Sequence, residues 1–365
     1  MNRRRFLTFA SALTLAGCGG GGTPTTSPAP PPAAYTATLL HESAMPGSVA
    51  DAVSADGAVQ GGRIGIPLLG EYRAVIWRGT PASALELHGK NSAVTGADGA
   101  VQVGYVGLEG GDSSRAVLWS GSPGSEVSLH PSGFTSSTAK AVAGNIQVGE
   151  GRNLATDKLH GLLWRGTAGS AVDLHPAGFE ISGVNGAGGD IQVGEASVGG
   201  FPNDRAMLWR GTAASAVILH PSGYRISAAS ATDGEFEVGQ AYPDSGGQAH
   251  AMLWKGTAAS AIDLHPSGSQ GSFAVGVRGG RQVGYVTTSE GKSHATVWSG
   301  TAASASDLHA SLAGLTVGGV PLNLTSSIAH GIDANGNIVG EGQVNVTVDG
   351  SASFRQYAIL WKKNP

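Results

Sequence analysis

The chain has 365 residues, 59 of them glycine, with 22 basic and 26 acidic side chains and a net charge of −4. Beyond residue 5 it contains no run of three basic residues, which argues against nucleic acid as a partner. After the N-terminal segment, no apolar stretch approaches the ~20 residues that a membrane-spanning helix needs.

The N-terminus has the layout of an export signal. Three arginines at residues 3–5 precede an apolar stretch over residues 6–15, which is too short to span a bilayer. A Leu-Ala-Gly-Cys sequence ending at Cys18 then resembles the lipobox of bacterial lipoproteins. The resemblance implies that residues 1–17 are a signal peptide and that the Cys18 thiol is lipidated, and the glycine that follows favours the outer membrane. The arginines also resemble a twin-arginine motif, so Sec and twin-arginine export both stay open.

Cys18 is the only cysteine, so the exported part contains no disulfide and its stability must come from packing. Residues 18–34 begin with the lipidated Cys and continue with four glycines and a Pro-rich segment, a composition typical of an extended tether. We therefore expect an exported protein, lipid-anchored at the outer membrane or cell surface, with the side of that membrane left open. Residues 35–365 form the remaining domain.

Internal repeats organise residues 35–365. The seven tryptophans follow one another at steps of 42, 45, 45, 45, 44 and 63 residues, and Leu-His stands eleven residues after each of the first six. A Gln-Val-Gly sequence, or a variant of it, precedes most of the tryptophans by seventeen residues, and a lone Leu40-His41 pair opens the domain. The repeated residues are Trp77, Trp119, Trp164, Trp209, Trp254, Trp298 and Trp361, with His88, His130, His175, His220, His265 and His309.

Each copy of about 45 residues reads as four short strands. In one copy these strands lie near residues 181–186, 190–195, 206–209 and 216–220. Asp-Gly or Asn-Gly pairs between the first two strands of several copies suit tight hairpin turns. No helical periodicity is visible, so the domain is predicted to be all-β.

Four strands per copy predict a seven-bladed β-propeller. The domain opens on a lone fourth strand, residues 35–41, and ends on a third strand, residues 357–361. Pairing these two ends would complete the last blade and close the ring, which removes exposed sheet edges. An open solenoid is the alternative, but it would need capping repeats at its ends.

The repeats resemble extracellular repeats of the HAF type over residues 36–361. The resemblance is carried by His-Ala-Met-Leu-Trp at residues 250–254, His-Ala-Thr-Val-Trp at residues 294–298 and Gly-Ile-Asp-Ala-Asn-Gly-Asn-Ile-Val-Gly at residues 331–340. The third signature position is not Phe, and the motif ends in Leu-His where Leu-Gly is usual. The resemblance implies an extracellular protein and assigns no catalytic residue.

The repeated tryptophans and histidines are interpreted as structural. A buried indole removes on the order of 200 Å² from water, and each blade needs such a wedge; a ring of sugar-stacking platforms is the alternative. Facing His pairs could bind zinc or copper. However, Arg takes the facing position in three copies and cannot ligate a metal, so no metal or other cofactor is predicted. The residues four before each Trp are Arg73, Arg115, His160, Arg205, His250, His294 and Tyr357.

Functional residues are expected on the variable loops between the second and third strands, which should open on the same face as the loops into the next blade. Two insertions, at residues 310–327 and 343–353, lengthen the last copy. The candidate ligand-binding residues are Tyr72, Asp112, Arg152, Asp157, Phe201, Asp204, Tyr242 and Asp244.

No catalytic motif is visible: the chain has no Gly-x-Ser-x-Gly, no His-Glu-x-x-His and no phosphate-binding loop. We therefore expect a monomeric, non-enzymatic scaffold of the cell envelope that binds a glycan, a peptide or an envelope protein. One alternative is a propeller hydrolase or lyase acting on polysaccharide or peptide, whose acid and base would converge near the axis. A purely structural envelope protein, without a pocket, is the other.

Overall fold

The computed structural model describes residues 35–66, 71–108, 113–199, 203–348 and 351–365. Cys18 and the predicted signal peptide and tether lie outside the described residues, as do Asp112 and Phe201. The described strands form seven four-stranded antiparallel sheets and one two-stranded hairpin. Within the described residues, no helix has the length and apolar character needed to cross a membrane.

Each of the first six sheets is built from four consecutive strands, innermost first. The first blade holds β2 Ser48–Val53, β3 Gln60–Ile66, β4 Glu71–Trp77 and β5 Leu85–Lys90, and the second holds β6 Ser92–Asp98, β7 Val101–Gly107, β8 Ser114–Trp119 and β9 Val127–Ser128. The third holds β10 Phe134–Ala143, β11 Ile146–Asn153, β12 Leu159–Trp164 and β13 Val172–Asp173, and the fourth holds β14 Ile181–Gly188, β15 Ile191–Ser197, β16 Asp204–Trp209 and β17 Val217–Ile218. The fifth holds β18 Tyr224–Thr232, β19 Glu237–Pro243, β20 His250–Trp254 and β21 Ile262–Asp263, and the sixth holds β22 Gly271–Arg278, β23 Arg281–Thr287, β24 Ser293–Trp298 and β25 Ser306–Asp307.

The seventh sheet joins the two ends of the domain. Its strands, in spatial order, are β28 Ser326–Ile332, β29 Ile338–Val348, β30 Ser351–Lys363 and β1 Tyr35–Leu39. The innermost strands of the seven sheets contact one another around a closed cycle, in which β28 packs on β2. The chain is a seven-bladed β-propeller. The predicted fold and its closure by the N-terminal strand are confirmed, and the open solenoid is wrong.

The seven tryptophans lie fully buried between blades. Trp254 of the fifth blade packs against Val193 and Leu208 of the fourth. Trp77 of the first blade packs against Leu360 of the seventh, so the ring closes with the same contact that joins its other blades. The 45-residue period therefore reflects one indole per blade interface.

The Gln-Val-Gly sequence holds each second strand against both of its neighbours in the sheet. The Gln192 Oε1 accepts a hydrogen bond from Gly211 N–H at 2.7 Å, which ties the second strand to the turn after Trp209. A Cβ at Gly194 would lie 2.0 Å from the carbonyl oxygen of Gly183, so only glycine fits beside the first strand. The intervening Val193 is fully buried.

The fourth strands of blades two to six are shorter than predicted. In the fourth blade the strand is Val217–Ile218 rather than residues 216–220, and a short 3₁₀ turn, Ala213–Ser215, precedes it. The strand ends because Leu219 turns inward, where it is fully buried and its N–H donates to Ala206 O. The equivalent 3₁₀ turns are Pro81–Ser83, Ala168–Ser170, Ala258–Ser260 and Ala302–Ser304.

Both predicted insertions lie in the last blade. The first holds a 3₁₀ turn, His309–Leu312, and the hairpin of β26 Thr316–Val317 and β27 Val320–Pro321. It ends before Ser326 rather than at Ser327, because Ser327 already belongs to the innermost strand. The second insertion extends β29 and β30 into a long hairpin.

A His–Ser clamp joins six of the seven pairs of neighbouring blades; between the first and second blades, His88 Nδ1 lies 2.8 Å from Glu126 Oε2 instead. In one clamp, the Oγ of buried Ser182 accepts the N–H of Gly161 from the preceding blade at 2.9 Å. The same hydroxyl lies 2.9 Å from Nδ1 of His175, whose Nε2 lies 3.1 Å from the carbonyl oxygen of Phe179. Because the Phe179 carbonyl oxygen can only accept, Nε2 carries the proton of the neutral imidazole, and Nδ1 then accepts a hydrogen bond from the Ser182 hydroxyl. The corresponding His-to-Ser contacts join His41–Ser48, His130–Ser137, His220–Ser227, His265–Ser272 and His309–Ser327.

These clamps predict that acid weakens the fold. Burial lowers the pKa of all six clamp histidines below 6.5, that of His41 to about 4. A depressed pKa contributes stability above the unfolded value, and this contribution is lost as pH falls through the folded value. The urea concentration at the unfolding midpoint should therefore be lower at pH 4.5 than at pH 7.5.

The matched variant is Ser182→Ala, which removes one clamp. We expect it to cost about 1–3 kcal/mol at pH 7.5, since it leaves Gly161 N–H unpaired, and to make the midpoint less sensitive to pH. A midpoint that stays constant over this pH range would contradict the neutral-imidazole clamp.

Candidate functional site

A β-bulge interrupts the innermost strand of every blade at one equivalent position. In the third blade, for example, the pairing shifts between Ala139 and Ala141, so that Lys140 has no partner residue across the sheet. A bulge places two residues opposite one and redirects a side chain. The bulged residues are Asp51, Thr95, Lys140, Asn185, Ser230, Val275 and His330.

These seven residues line a cavity of about 280 Å³ on the propeller axis. Each is half-buried, and the residue that precedes it is fully buried. Beneath them lies a second set of lining residues, two positions further along each strand and mostly apolar: Val53, Ala97, Val142, Ala187, Thr232, Val277 and Ile332. The cavity therefore has a polar ring above an apolar one.

A further set of side chains, here called the second ring, lies behind the polar ring. Each member is the residue that follows the Val-Gly position of a second strand. Its members are Arg63, Tyr105, Glu150, Glu195, Gln240, Tyr285 and Glu341. In the first blade, Asp51 forms an ion pair with Arg63 at 2.7 Å. In the fifth blade, the Ser230 hydroxyl donates to Gln240 Oε1 at 3.3 Å. The two rings are thus matched in chemistry within these blades.

The third and fourth blades share the densest polar network of the cavity. Lys140 Nζ donates to Glu150 Oε2 at 2.8 Å and to Asn185 Oδ1 at 2.9 Å. Asn185 Nδ2 then donates to Glu195 Oε2 and to Ala229 O. The side chains form one continuous chain from a carboxylate through a cation and an amide to a second carboxylate.

Burial disfavours the charged forms of both Glu195 and Lys140, but their neighbours offset it to different extents. It raises the pKa of Glu195 to about 7, with Lys140 lowering and Glu150 raising that value. Burial also disfavours the charge of Lys140, but the carboxylates of Glu150 and Glu195 outweigh it and raise the Lys140 pKa. At neutral pH, Lys140 is therefore charged and the carboxyl group of Glu195 is partly protonated.

Two further groups at the cavity have no hydrogen-bond partner among the described residues. They are the Nε of Arg278 and the Nε2 of His330, both buried atoms on cavity-lining side chains. Arg278 ends the innermost strand of the sixth blade, and His330 occupies the bulge of the seventh. The two groups therefore lie on adjacent blades, around one cavity.

The described candidates lie at one face, where second strands end and third strands begin, and only Asp157 and Asp244 lie outside the strands. The loops there bond to loops that enter the same blade, since Asp244 N–H donates to Gly223 O. Arg152, near the end of β11, forms an ion pair of 3.1 Å with Asp157 in the turn that follows. Asp157 remains mostly exposed, with a positive φ of 54°.

Of the other described candidates, Tyr72 lies on the first blade, Asp204 on the fourth, and Tyr242 and Asp244 two residues apart on the fifth. Tyr72 lies under the Arg63 guanidinium, 5.2 Å from its ring centre, and so borders the second ring. Tyr242 packs beneath Arg225, and burial raises its pKa. Burial also raises the pKa of Asp204, which is half-buried.

The facing histidines stack rather than converge. His160 and His175 have ring centres 4.1 Å apart and an interplanar angle of 9°. Their Nδ1 atoms point to different partners, Asp173 for His160 and Ser182 for His175. The stacked pairs His250–His265 and His294–His309 repeat this arrangement. Within the described part of the chain, no three His, Cys, Asp or Glu side chains are grouped as a metal site.

Sequence reasoning missed the two rings. A signal for them does exist in the sequence, because the bulged residue and its second-ring partner are ten to twelve positions apart and vary together from copy to copy. Asp accompanies Arg in the first copy, Lys accompanies Glu in the third, and Ser accompanies Gln in the fifth. Comparing these two positions across the repeats would have indicated an inward-facing polar site.

No protein-family model and no curated protein matches the chain. Its fold is similar to that of a puromycin hydrolase mutant complexed with PGG, with a TM-score of 0.53 and 13% identity over 87% of this chain and 52% of that one. It is also similar to the acylaminoacyl peptidase of Pyrococcus horikoshii, with a TM-score of 0.51 and 12% identity over 84% and 52% of the two chains. A puromycin-hydrolyzing peptidase of Mycobacterium tuberculosis gives a TM-score of 0.51 and 13% identity over 86% and 50%. The chain spans about half the length of these proteins, and the likeness shows the propeller fold alone.

Proposed function

We propose that this protein is an exported, lipid-anchored binding scaffold of the cell envelope, without enzymatic activity, whose central cavity holds a small polar ligand or the end of a glycan or peptide. The supporting observation is the ring of seven bulged positions, each with a different side chain. The rest of the blade, including the buried Trp and the His–Ser clamp, recurs almost unchanged. Variation at the cavity, against a blade core that is nearly constant, supports a ligand-binding role for these positions.

The energetics of the cavity support the same proposal. Buried ion pairs such as Lys140–Glu150 contribute little net stability, because desolvation offsets their attraction. Apolar residues would fill the axis at least as well, and Val275 shows that the bulge accepts one. A purely structural envelope protein would need neither the charges nor a cavity of about 280 Å³.

The test is a glycan and peptide array probed with the purified protein and two variants. Ser230→Leu fills part of the cavity at a bulge, and Asp244→Ala alters the exposed rim. We expect array binding by the wild type, loss of most of it with Ser230→Leu and retention with Asp244→Ala. Binding lost only with the rim variant would place the ligand on the loops, and an array without any binding would refute the scaffold proposal.

A hydrolase is the competing function, and one observation bears on it. Glu150 Oε2 and Glu195 Oε1 lie 2.8 and 3.0 Å from the position of a Cβ built on Gly183, so they are at most about 6 Å apart, a spacing that retaining glycosidases use. However, Lys140 and Asn185 bridge these carboxylates, whereas a hydrolase pair flanks the substrate bond. Bound glycans and peptides should therefore be recovered intact. New reducing ends or free amines, abolished by Glu195→Gln, would establish catalysis instead.

A further inference from the structure

Among the Asp, Glu, Lys and Arg side chains that line the central cavity, Arg278 differs from the others because it has no ion-pair partner among the described residues. Asp51 is neutralised by Arg63 at 2.7 Å, and Lys140 by Glu150 at 2.8 Å. Arg278 also lines the cavity, but within the described residues it has neither an ion-pair nor a hydrogen-bond partner, and its Nε is buried. The cavity therefore presents one uncompensated guanidinium.

Arg278 also breaks the repeat. It is the last residue of an innermost strand, and no other blade has a cation there. The equivalent residues are Ser54, Asp98, Ala143, Gly188, Asp233 and Asp333. Three of these support turns: Asp98 and Asp233 accept backbone N–H groups of the following blade at Gly144 and Gly279, and Asp333 accepts the N–H of Asn337. Arg278 makes no such contact, so its retention requires another explanation.

A buried polar atom without a partner, such as the Nε of Arg278, costs free energy, and fold stability alone does not justify keeping it. His330 on the adjacent blade adds a second unpaired nitrogen, Nε2, to the same cavity. A guanidinium matches the two oxygens of a carboxylate, which accept parallel hydrogen bonds from its fork. The imidazole nitrogen of His330 offers one more polar contact within that cavity.

We infer that the central cavity binds a small carboxylate-bearing ligand, with its carboxylate on Arg278 and its hydroxyl or amide groups on the polar ring, which includes His330. This inference rests on the proposed function and names the ligand chemistry of the same site. The hydroxyls of Thr95 and Ser230 and the amide of Asn185 line the cavity and suit hydroxyl or amide partners. The volume of about 280 Å³ is just below the range for drug-sized ligands (~300–1,000 Å³), which fits a hexuronate or a short peptide end.

Isothermal titration with matched probes tests this inference. Glucuronate and galacturonate carry the carboxylate, glucose lacks charge and glucosamine is cationic, all on similar rings. Acetyl-Ala-Ala with a free or an amidated C-terminus separates a peptide source of the carboxylate from a sugar source, and inorganic phosphate separates carboxylates from other oxyanions. We expect at least one carboxylate probe to bind about ten-fold or more tightly than its uncharged counterpart, since a charge-assisted hydrogen bond is worth about that factor.

Arg278→Gln supplies the residue-level test, and Arg165→Gln, at an exposed turn, is its matched control. The Arg278 variant should lose about ten-fold or more in carboxylate affinity and all preference over the uncharged probe, whereas the control should bind as wild type. Without ligand, the melting temperature of Arg278→Gln should equal or exceed that of the wild type, because no internal contact is removed. Lower stability would reveal a structural role and overturn the inference.

The remaining outcomes separate the inference from the proposed function. Equal binding of charged and uncharged probes, binding of phosphate alone, or no binding of any probe would each overturn the carboxylate assignment. If Ser230→Leu still abolished array binding in that case, the cavity would remain a binding site for another chemistry. If Ser230→Leu had no effect on the array, the proposed function itself would fail.

Discussion

A chain that lacks residues 35–41 is expected to lose its cooperative unfolding transition. The segment supplies the outer strand of the seventh blade, paired over five residues from Tyr35–Lys363 to Leu39–Ile359. Its Leu40 is fully buried and packs with Trp77 in the interface with the first blade. Each buried large side chain removed costs about 2–5 kcal/mol, so losing Tyr35, Leu39 and Leu40 together approaches the whole stability of ~5–15 kcal/mol.

The deletion also removes the clamp that closes the ring. His41 Nδ1 lies 2.8 Å from Ser48 Oγ, which accepts the N–H of Ala358. Without the segment, β30 would present an unpaired edge. Circular dichroism against temperature and size-exclusion chromatography would detect the unfolding and the aggregation.

A permuted chain provides the control for this deletion. Tyr35 pairs with Lys363, so a short turn after Pro365 can lead directly into residues 35–41, as the turn after Trp209 leads into the fourth strand of its blade. This chain should fold with a melting temperature near that of the wild type. A deletion variant that melts like the wild type would show that the N-terminal strand does not hold the ring closed.

The sequence was sufficient to predict the seven-bladed ring because packing between blades imposes the spacing of the tryptophans. One indole per blade interface, as with Trp254 between the fourth and fifth blades, enforces a constant period. The N-terminal strand has no partner next to it along the chain and the last strand has one on a single side, and pairing them with each other is the one arrangement that leaves neither of these edges exposed. Strand bounds were less predictable, because Leu219 and its equivalents turn into the core and end the fourth strands early.

The candidate site was less predictable because a bulge changes the direction of a side chain. Strict alternation cannot show that Lys140 leaves the sheet pairing and faces the axis, and the polar residue at this position differs in each copy. The loop candidates were chosen for their variability, and among the described ones only Arg152 and Asp157 form an ion pair, at the end of one second strand. Residues of all seven blades come together only at the axis, where the innermost strands converge.

Replacing Lys140 by Met should destabilise the propeller strongly and in a pH-dependent way. In the wild type, the ammonium bridges Glu150 and Asn185 beside Glu195. Its removal leaves two carboxylates close together, and losing one partner of a buried pair costs about 3–5 kcal/mol. We expect a loss of this size at pH 8, measured as the shift of the urea unfolding midpoint converted to free energy.

The sign of the pH effect follows from Glu195. Burial raises its pKa to about 7 in the folded protein. The contribution of Glu195 to folding stability is therefore fully present below its pKa in the unfolded chain, near 4.5, and is lost as pH rises through 7. Without Lys140, which lowers that pKa, the carboxyl should hold its proton to still higher pH. At pH 5 Glu195 is protonated in the folded protein with or without Lys140, so Lys140→Met should cost clearly less there than at pH 8.

Two comparisons decide whether this effect belongs to the cavity network. Adding Glu150→Gln to Lys140→Met removes one of the facing charges and should recover most of the loss at pH 8. Lys255→Met breaks an exposed ion pair with Glu235 and should change stability by less than about 1 kcal/mol at either pH. Equal losses for Lys140→Met at pH 5 and pH 8 would mean that the ammonium does not hold the two carboxylates together, and that the third and fourth blades meet at the axis through packing alone.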